Sequence, residues 1–317
     1  MADFVTGATG FVGMRLCEQL VGRGRAVRAA LRPASRSGQK AEALAAMGVE
    51  TRTVDFTDAE AVADALKGVE IVYHLAWQSN RMSQGGAAQF TGSPAAANLR
   101  GMENLMGGAL GAGVRRFVFT STISVYGPDG EGGPLPKRET DTRQDLWSHP
   151  NPYFRFYASA KVRAEQMLSA AFPPPDHVIL RPSMVYGPNA QFADQFIEGA
   201  TSGRNAEAAS QPVQWIHVDD VVRALLKASE VEEAANRAFN LAGTECKLNH
   251  TVIEAVRRLV AAGGRAAALD DLDWAPRVPL YDMRAAERHL HFVPEVSLRE
   301  GLIEMTSAYL AKHARSA

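Results

Sequence analysis

Residues 5–13 read VTGATGFVG, and the reading of these positions decides the fold. Asp3–Thr6 suits a short strand, and the stretch MRLCEQLVGRG after the glycines has helical character. Gly7, Gly10 and Gly13 recur every third residue between the two. In such a turn the first glycine permits a tight reversal and the second lets backbone approach a pyrophosphate. The third lets helix and strand pack closely. The helix N-terminus then turns unpaired N–H groups and the positive end of its dipole toward the phosphates. Glycines end many strands, so the triplet alone is weak; its place between strand and helix makes it a dinucleotide site. Two oddities accompany it: the motif begins only six residues from Met1, and its spacing is GxxGxxG rather than GxGxxG.

Outward from this turn, short apolar runs alternate with helical stretches, the pattern of a parallel sheet covered by helices. Strands are expected at Asp3–Thr6, Ala26–Leu31, Val49–Val54, Ile71–Leu75, Phe117–Thr120, Val178–Leu180 and Ala238–Leu241. In TDAEAVADALKG, Asp58 is placed as an N-cap with Val62, Ala65 and Leu66 on one face. The expected fold is a Rossmann-type, doubly wound α/β sheet with a smaller, mostly helical C-terminal lobe. Residues 1–182 plus 213–242 would form the dinucleotide domain, and 183–212 plus 243–317 the substrate lobe. The stretch GPDGEGGPLPKRETDTRQDLWSHPNP, rich in Gly, Pro and charge, reads as a long surface loop, and loops of this length are usually functional. It is a candidate cover for the substrate.

A chain of 317 residues is ample for a sizeable core. Its formal net charge of −1 supplies no global attraction to nucleic acid or anionic membrane. Cys17 and Cys246 form no CxxC pair, which argues against a disulfide framework or a cysteine metal site and suits a reducing cytosol. No apolar run nears the roughly 18 residues of a membrane span, and no signal peptide is apparent. A soluble cytoplasmic protein without a metal site is expected.

The second strand ends in RAALRPASR, with no Asp or Glu between Arg25 and Gly38 to hold a ribose 2′-hydroxyl. Arg32, Ser35 and Arg36 stand there instead, and arginine suits a 2′-phosphate. A solvated basic loop is the plainer reading; the missing acid favours NADP(H) over NAD. In YASAK, Tyr157 and Lys161 are four apart, one turn of the same helical face. A free phenol has a pKa near 10, and a neighbouring ammonium would lower it, as a tyrosine giving a proton to a carbonyl oxygen requires. Such spacing is commonplace on helix surfaces, but it gains force beside a glycine turn and the strand-end hydroxyls of STISVYG at 121–127.

Together these segments resemble the extended short-chain dehydrogenase/reductase family, which includes sugar-nucleotide epimerases, dehydratases and ketoreductases. The resemblance spans TGATGFVG, VDF at 54–56, HLA at 74–76, Asn98 in NLRGMENL, STISVYG, YASAKVRAE, RPSMVYGP at 181–188, WIHVDDVVRA at 215–224 and FNLAG at 239–243. It implies catalysis by Thr122, Tyr157 and Lys161, with Lys161 also bonding the nicotinamide ribose. The implied cofactor contacts are Gly7, Thr9, Gly10, Phe11, Val12 and Gly13 at the turn, and Arg32, Ser35, Arg36, Asp55 and Phe56 around the adenosine. Toward the nicotinamide they are Leu75, Ala76, Asn98, Thr120, Tyr157, Lys161, Pro182 and Val185. Trp77, Asn80, Arg81, Thr122, Ser124 and Met184 are candidates for the substrate pocket. A homodimer through the helices carrying Asn98 and Tyr157 is implied as well.

Departures from the family's patterns narrow the chemistry. Its 4,6-dehydratases carry Asp and Glu after the catalytic Thr, where this chain has Ile123 and Ser124, so dehydration by that route is not expected. Met184 replaces an Asn, and Val213 an Arg, that contact nucleotide phosphates in many sugar-nucleotide enzymes. His217 and Asp219 in HVDD invite a metal or catalytic reading. A packed strand residue and an N-cap for a helix Asp220–Ser229 is the plainer one. The resulting expectation is an NADP(H)-dependent reductase of a ketone, either a 4-keto sugar nucleotide or another small carbonyl. The alternatives are an NAD-dependent sugar-nucleotide 4-epimerase and a non-catalytic dinucleotide-binding regulator.

Overall fold

The computed structural model describes residues 1–33, 38–78, 92–128, 134–142, 145–170, 176–190, 192–204 and 210–314. In chain order the strands are β1 (Ala2–Thr6), β2 (Val27–Leu31), β3 (Glu50–Thr53), β4 (Val69–His74), β5 (Arg116–Thr120), β6 (Asp176–Pro182), β7 (Val185–Tyr186), β8 (Pro212–Val213), β9 (Ile216–His217), β10 (Arg237–Leu241) and β11 (Lys247–Leu248). The helices are α1 (Phe11–Gly22), α2 (Gln39–Ala46), α3 (Ala59–Ala65), α4 (Gly92–Ala112), α5 (Ser159–Ala170), α6 (Ala193–Ser202), α7 (Val218–Glu230), α8 (Asn249–Ala261), α9 (Arg284–His289) and α10 (Leu298–Ala314).

Seven strands form one parallel sheet in the order β10-β6-β5-β4-β1-β2-β3, as the alternation predicts. The order reverses between β1 and β4, which pair with Val5 beside Tyr73, and the carboxyl ends there open into the crevice where such sheets bind ligands. Central strands are buried on both faces and read as continuous apolar runs, Phe117-Val118-Phe119 among them. Edge strand β3 is exposed and carries Glu50 between Arg28 and Arg52, charges that discourage edge pairing.

Each face has its own core. Leu16, Leu20, Val221, Leu225 and Phe292 pack with Tyr73 on one side, and Val62, Leu105, Phe117 and Phe119 pack on the other. The fully buried Arg116 donates to the carbonyls of Ala228 and Val231, serving the C-terminal end of α7, where cations are favoured. A further apolar cluster unites α6, α8 and α10 around Trp215, with Ile197, Val256, Leu259 and Leu302. Phe11, the first residue of α1, packs against that cluster and so joins it to the glycine turn.

Asp58 caps α3 as predicted, accepting from the N–H groups of Glu60 and Ala61. The expected cap at Asp219 is corrected. Helix α7 starts at Val218, and buried His217 is its cap, accepting from Asp219 N–H at 3.3 Å. Asp219 is drawn away by Arg15, 204 positions distant, which binds both its oxygens at 2.7 and 3.2 Å. No helix among the described residues is long and apolar enough to cross a membrane.

Candidate active site

The glycine turn has the geometry its sequence requires. Gly7 has φ +71°, and a Cβ there would stand 2.9 Å from the Ala76 nitrogen. A Cβ on Gly13 would come within 2.1 Å of the Gly7 carbonyl oxygen, so the helix sits against the turn only because that atom is missing. Gly10 donates to Gly7 O at 2.8 Å and precedes α1 without a side-chain cap. The first-turn N–H groups of α1, from Phe11 and Val12 onward, are thereby available to a pyrophosphate, and the turn fits a dinucleotide. Thr9 turns its carbonyl outward to accept from Lys40 Nζ at 3.0 Å. Arg32 is exposed at the end of β2. Ser35 and Arg36 lie outside the described residues.

Beyond β3, Asp55 accepts from the Thr57 N–H and hydroxyl at 2.9 and 2.8 Å, and these bonds hold its carboxyl below the usual range. Phe56 lies on α4, where a Cβ on Gly101 would come within 3.1 Å of its own. Asn104 bonds its carbonyl at 2.8 Å. At the end of β4, Thr6 Oγ1 accepts from Leu75 and Ala76 N–H at 3.1 and 3.0 Å. With both lone pairs engaged, the Thr6 hydroxyl donates to His74 Nδ1 at 2.8 Å, which places the imidazole proton on Nε2. Burial lowers the His74 pKa to about 3, so the ring is neutral. Asn98 holds Gln78 from both sides, accepting from its N–H and donating to its carbonyl at 2.8 Å each. Its observed task is to fix the segment after β4. Asn80 and Arg81 lie outside the described residues.

The chemistry concentrates where β5 ends. Thr122 is 8% exposed and extended, at φ −164°, heading a 3-10 turn Ile123–Tyr126. Tyr157 lies in a π-helical turn, Tyr153–Ala158, which runs directly into α5. The Tyr157 phenol stacks on Tyr153 with ring centroids 5.0 Å apart, in the same cluster as the turn that Thr122 heads. Burial is the largest influence on that phenol and raises its pKa; the neighbouring Tyr153 adds to the rise, and Thr122 opposes it. Lys161 is 3% exposed, and burial lowers its pKa to about 7. Its Nζ donates to Thr120 O at 2.7 Å and lies 4.0 Å from the Trp77 ring centre and 4.6 Å from that of Phe119. The structure thus gathers Thr122 and Tyr157 into one cluster and seats the Lys161 ammonium at the end of β5, under Trp77. The sequence reading had placed that ammonium against the phenol.

Ser124 accepts from Thr122 Oγ1 at 3.2 Å, and its Oγ lies 2.7 Å from the Tyr153 hydroxyl. Pro182 closes β6 opposite Leu241, and Val185 pairs with Ile216 in β7. Met184 is 52% exposed between them. Behind the site, Arg181 binds Glu165 at 2.6 and 3.1 Å and donates to Tyr126 OH at 2.9 Å and Glu139 O at 2.7 Å. This buried network anchors the Lys161 helix and residues 137–141 to the sheet.

Lys40, Tyr153 and the Thr6–His74 pair escaped the sequence reading. Tyr153 had a signal, since Tyr153, Tyr157 and Lys161 repeat at intervals of four. Lys40 lies beyond the stretch in which a 2′-phosphate ligand is sought, and only the fold brings it to the turn.

A parallel switch-point sheet, a glycine cradle at a helix N-terminus and a Thr–Tyr pair at a strand end define a dinucleotide-dependent oxidoreductase fold. The chain belongs to the NAD dependent epimerase/dehydratase family, whose sequence model matches residues 4–242. It is 28% identical to a 2-alkyl-3-oxoalkanoate reductase of Stenotrophomonas maltophilia, over 98% of this chain and 100% of that protein. It is 33% identical to a 3 beta-hydroxysteroid dehydrogenase/Delta 5-->4-isomerase of Mycobacterium tuberculosis, over 58% of this chain and 46% of that one. A UDP-glucose 4-epimerase of Thermotoga maritima, solved with UDP-glucose, superposes with a TM-score of 0.75 at 23% identity, covering 99% of this chain and 100% of that one. That likeness is one of fold.

Proposed function

We propose that the protein is an NADP(H)-dependent reductase that converts an apolar, non-sugar ketone to a secondary alcohol. The observation that carries the reading is the cluster at the carboxyl end of β5, where Thr122 bonds Ser124, Ser124 meets Tyr153 and Tyr153 stacks on Tyr157, beside the crevice that the glycine turn opens. When bound, the nicotinamide dinucleotide supplies hydride chemistry. Gly7, Gly10, Gly13 and the first turn of α1 would hold its pyrophosphate, and Asp55 and Phe56 would flank its adenosine. Thr122 orients the substrate oxygen, and Tyr157 gives it a proton. Lys161, held by Thr120 O, keeps a cation at the reacting end of the cleft.

Two cations support NADP(H): Arg32 at the end of β2 and Lys40 at the Thr9 carbonyl, with no acid between residues 25 and 38. Met184 and Val213 support a non-sugar substrate, because apolar side chains there offer no donor to a diphosphate. The whole-length relative is a reductase of 2-alkyl-3-oxoalkanoates, in keeping with a ketone of that kind. The fold-level likeness to a UDP-glucose 4-epimerase favours a second reading, epimerisation with a retained NAD.

Denaturing the purified protein and identifying any released dinucleotide, then following NADPH absorbance with ethyl 2-methylacetoacetate, a steroid ketone and UDP-glucose, separates the readings. Exchangeable NADP(H) and oxidation of NADPH by either ketone support the reductase, and Tyr157→Phe should then lower turnover by about 10² or more. Tightly held NAD and interconversion of UDP-glucose with its 4-epimer would replace it by the second reading. Unaltered turnover in Tyr157→Phe would remove the assignment.

A further inference from the structure

We propose that Trp77 is a positioning residue for Lys161, its indole face keeping the ammonium charged and in place at the end of β5. This rests on the reductase reading above for the use made of that cation, and it gives Trp77 a task other than lining the substrate pocket.

The Lys161 ammonium is buried where little else favours a charge. It has three N–H groups to place. One donates to Thr120 O at 2.7 Å, its one hydrogen bond among the described residues. Two rings stand close to it. The Trp77 ring centre lies 4.0 Å from Nζ and that of Phe119 4.6 Å, both well inside the roughly 6 Å over which a ring face attracts a cation. These rings are 5.8 Å apart with their planes at 53°. His74, stacked on Phe119 at 5.6 Å, adds no acceptor, since its Nδ1 takes the Thr6 proton and its Nε2 has no partner.

The backbone on either side fixes the indole. Thr6 Oγ1 accepts from the N–H groups of Leu75 and Ala76, and Asn98 bonds both the N–H and the carbonyl of Gln78. Trp77 is therefore clamped between two held neighbours, and it packs on the apolar cluster that includes Phe119 and Met102. An indole attracts a cation more strongly than the other aromatic faces do. An aliphatic side chain there would still cover the lysine, but without that attraction. Burial lowers the Lys161 pKa and the ring opposes the fall. Without the indole the lysine gives up its proton at lower pH, and the cleft loses its cation sooner as pH rises.

Other charges reach Lys161 from the elements around it. Glu165 lies one turn along α5 and favours the charged form, but Arg181 binds both its oxygens. Arg163 shares α5, and Tyr153, Arg155 and Tyr157 belong to the π-helical turn before it. Arg100 and Glu103 on α4 pair with each other at 3.6 Å, and Tyr126 stands in the 3-10 turn. The strands add Glu70, Tyr73 and neutral His74 on β4, Arg116 on β5, and Asp176 and His177 on β6. All are common to the variants below and cancel in the comparison.

The test is a pH titration by NMR of the protein without cofactor, its lysines ¹³C-labelled at Cε, the Lys161 signal being the one lost in Lys161→Met. The wild-type midpoint should lie at about 7. Trp77→Leu and Trp77→Met should each lower it by about one pH unit, and Trp77→Phe, which keeps an aromatic face, should recover about half of that loss or more. A wild-type midpoint above about 9 overturns the proposal. So does a midpoint unmoved or raised in Trp77→Leu or Trp77→Met, or a Trp77→Phe that titrates like Trp77→Leu. With NADPH and a ketone, the alkaline limb of the kcat/KM profile should move down with the midpoint; a limb that stays in place would overturn the positioning role. Lost turnover in Tyr157→Phe beside an unmoved Trp77→Leu midpoint would sink this inference alone. Retained turnover in Tyr157→Phe beside a lowered midpoint would sink the reductase reading instead.

Discussion

Replacing Lys161 by methionine should cost the protein its activity and stabilise its fold at neutral pH. Burial lowers the Lys161 pKa from 10.5 to about 7, so the unfolded chain binds this proton more tightly than the folded one between those values. Stability linked to the group therefore rises with pH across that window, and the full penalty applies below it. A shift of this size corresponds to roughly 5 kcal/mol at its limit, and about 2 kcal/mol of it should be relieved between about pH 7 and about pH 9. Methionine fills a similar volume without a charge; it forgoes the bond to Thr120 O and the contact with Trp77, each worth about 1 kcal/mol at any pH. Every other titrating group is common to both proteins and cancels in the difference. Urea unfolding of wild type and Lys161→Met, without cofactor, at a series of pH values supplies the measurement. The variant's advantage should shrink by about 2 kcal/mol from about pH 7 to about pH 9. A difference independent of pH would mean that Lys161 is solvated, and the reasoning would fail.

Gly13→Ala puts a methyl group within 2.1 Å of the Gly7 oxygen, forcing α1 off the turn, so dinucleotide affinity measured by calorimetry should fall more than tenfold. Arg32→Ala and Lys40→Ala should each weaken NADPH binding by about tenfold while leaving NADH binding within a factor of two or so; equal losses for both cofactors would exclude a 2′-phosphate contact. Glu165→Leu strands the Arg181 guanidinium in the interior and should cost about 3–5 kcal/mol in urea unfolding. An unchanged midpoint there would show that Tyr126 and the Glu139 carbonyl suffice for Arg181.

Local rules account for what the sequence made legible. The strand–glycine–helix start, the apolar runs of the main sheet's central strands and the Asp58 cap each depend on residues within a turn or two of one another. Thr122 and Tyr157 were legible because a strand end and the following helix N-terminus must share the carboxyl edge of the sheet. What escaped depends on distant partners. Asp219 looks like a cap until Arg15 reaches it from α1, leaving the position to His217. Lys161 leaves the same helix as Tyr157, yet the carbonyl of Thr120 and the ring of Trp77 decide where its ammonium rests. Lys40 meets the glycine turn only through the packing of α2, and Tyr153 joins the hydroxyls only because the helix begins with π winding.

The most direct test of the account is a crystal structure of the protein with NADP⁺. The account predicts the pyrophosphate on the N–H groups of α1, the 2′-phosphate between Arg32 and Lys40, and the nicotinamide C4 facing the space in front of Thr122 and Tyr157. A nicotinamide turned away from that pair, or a dinucleotide seated elsewhere, would contradict it.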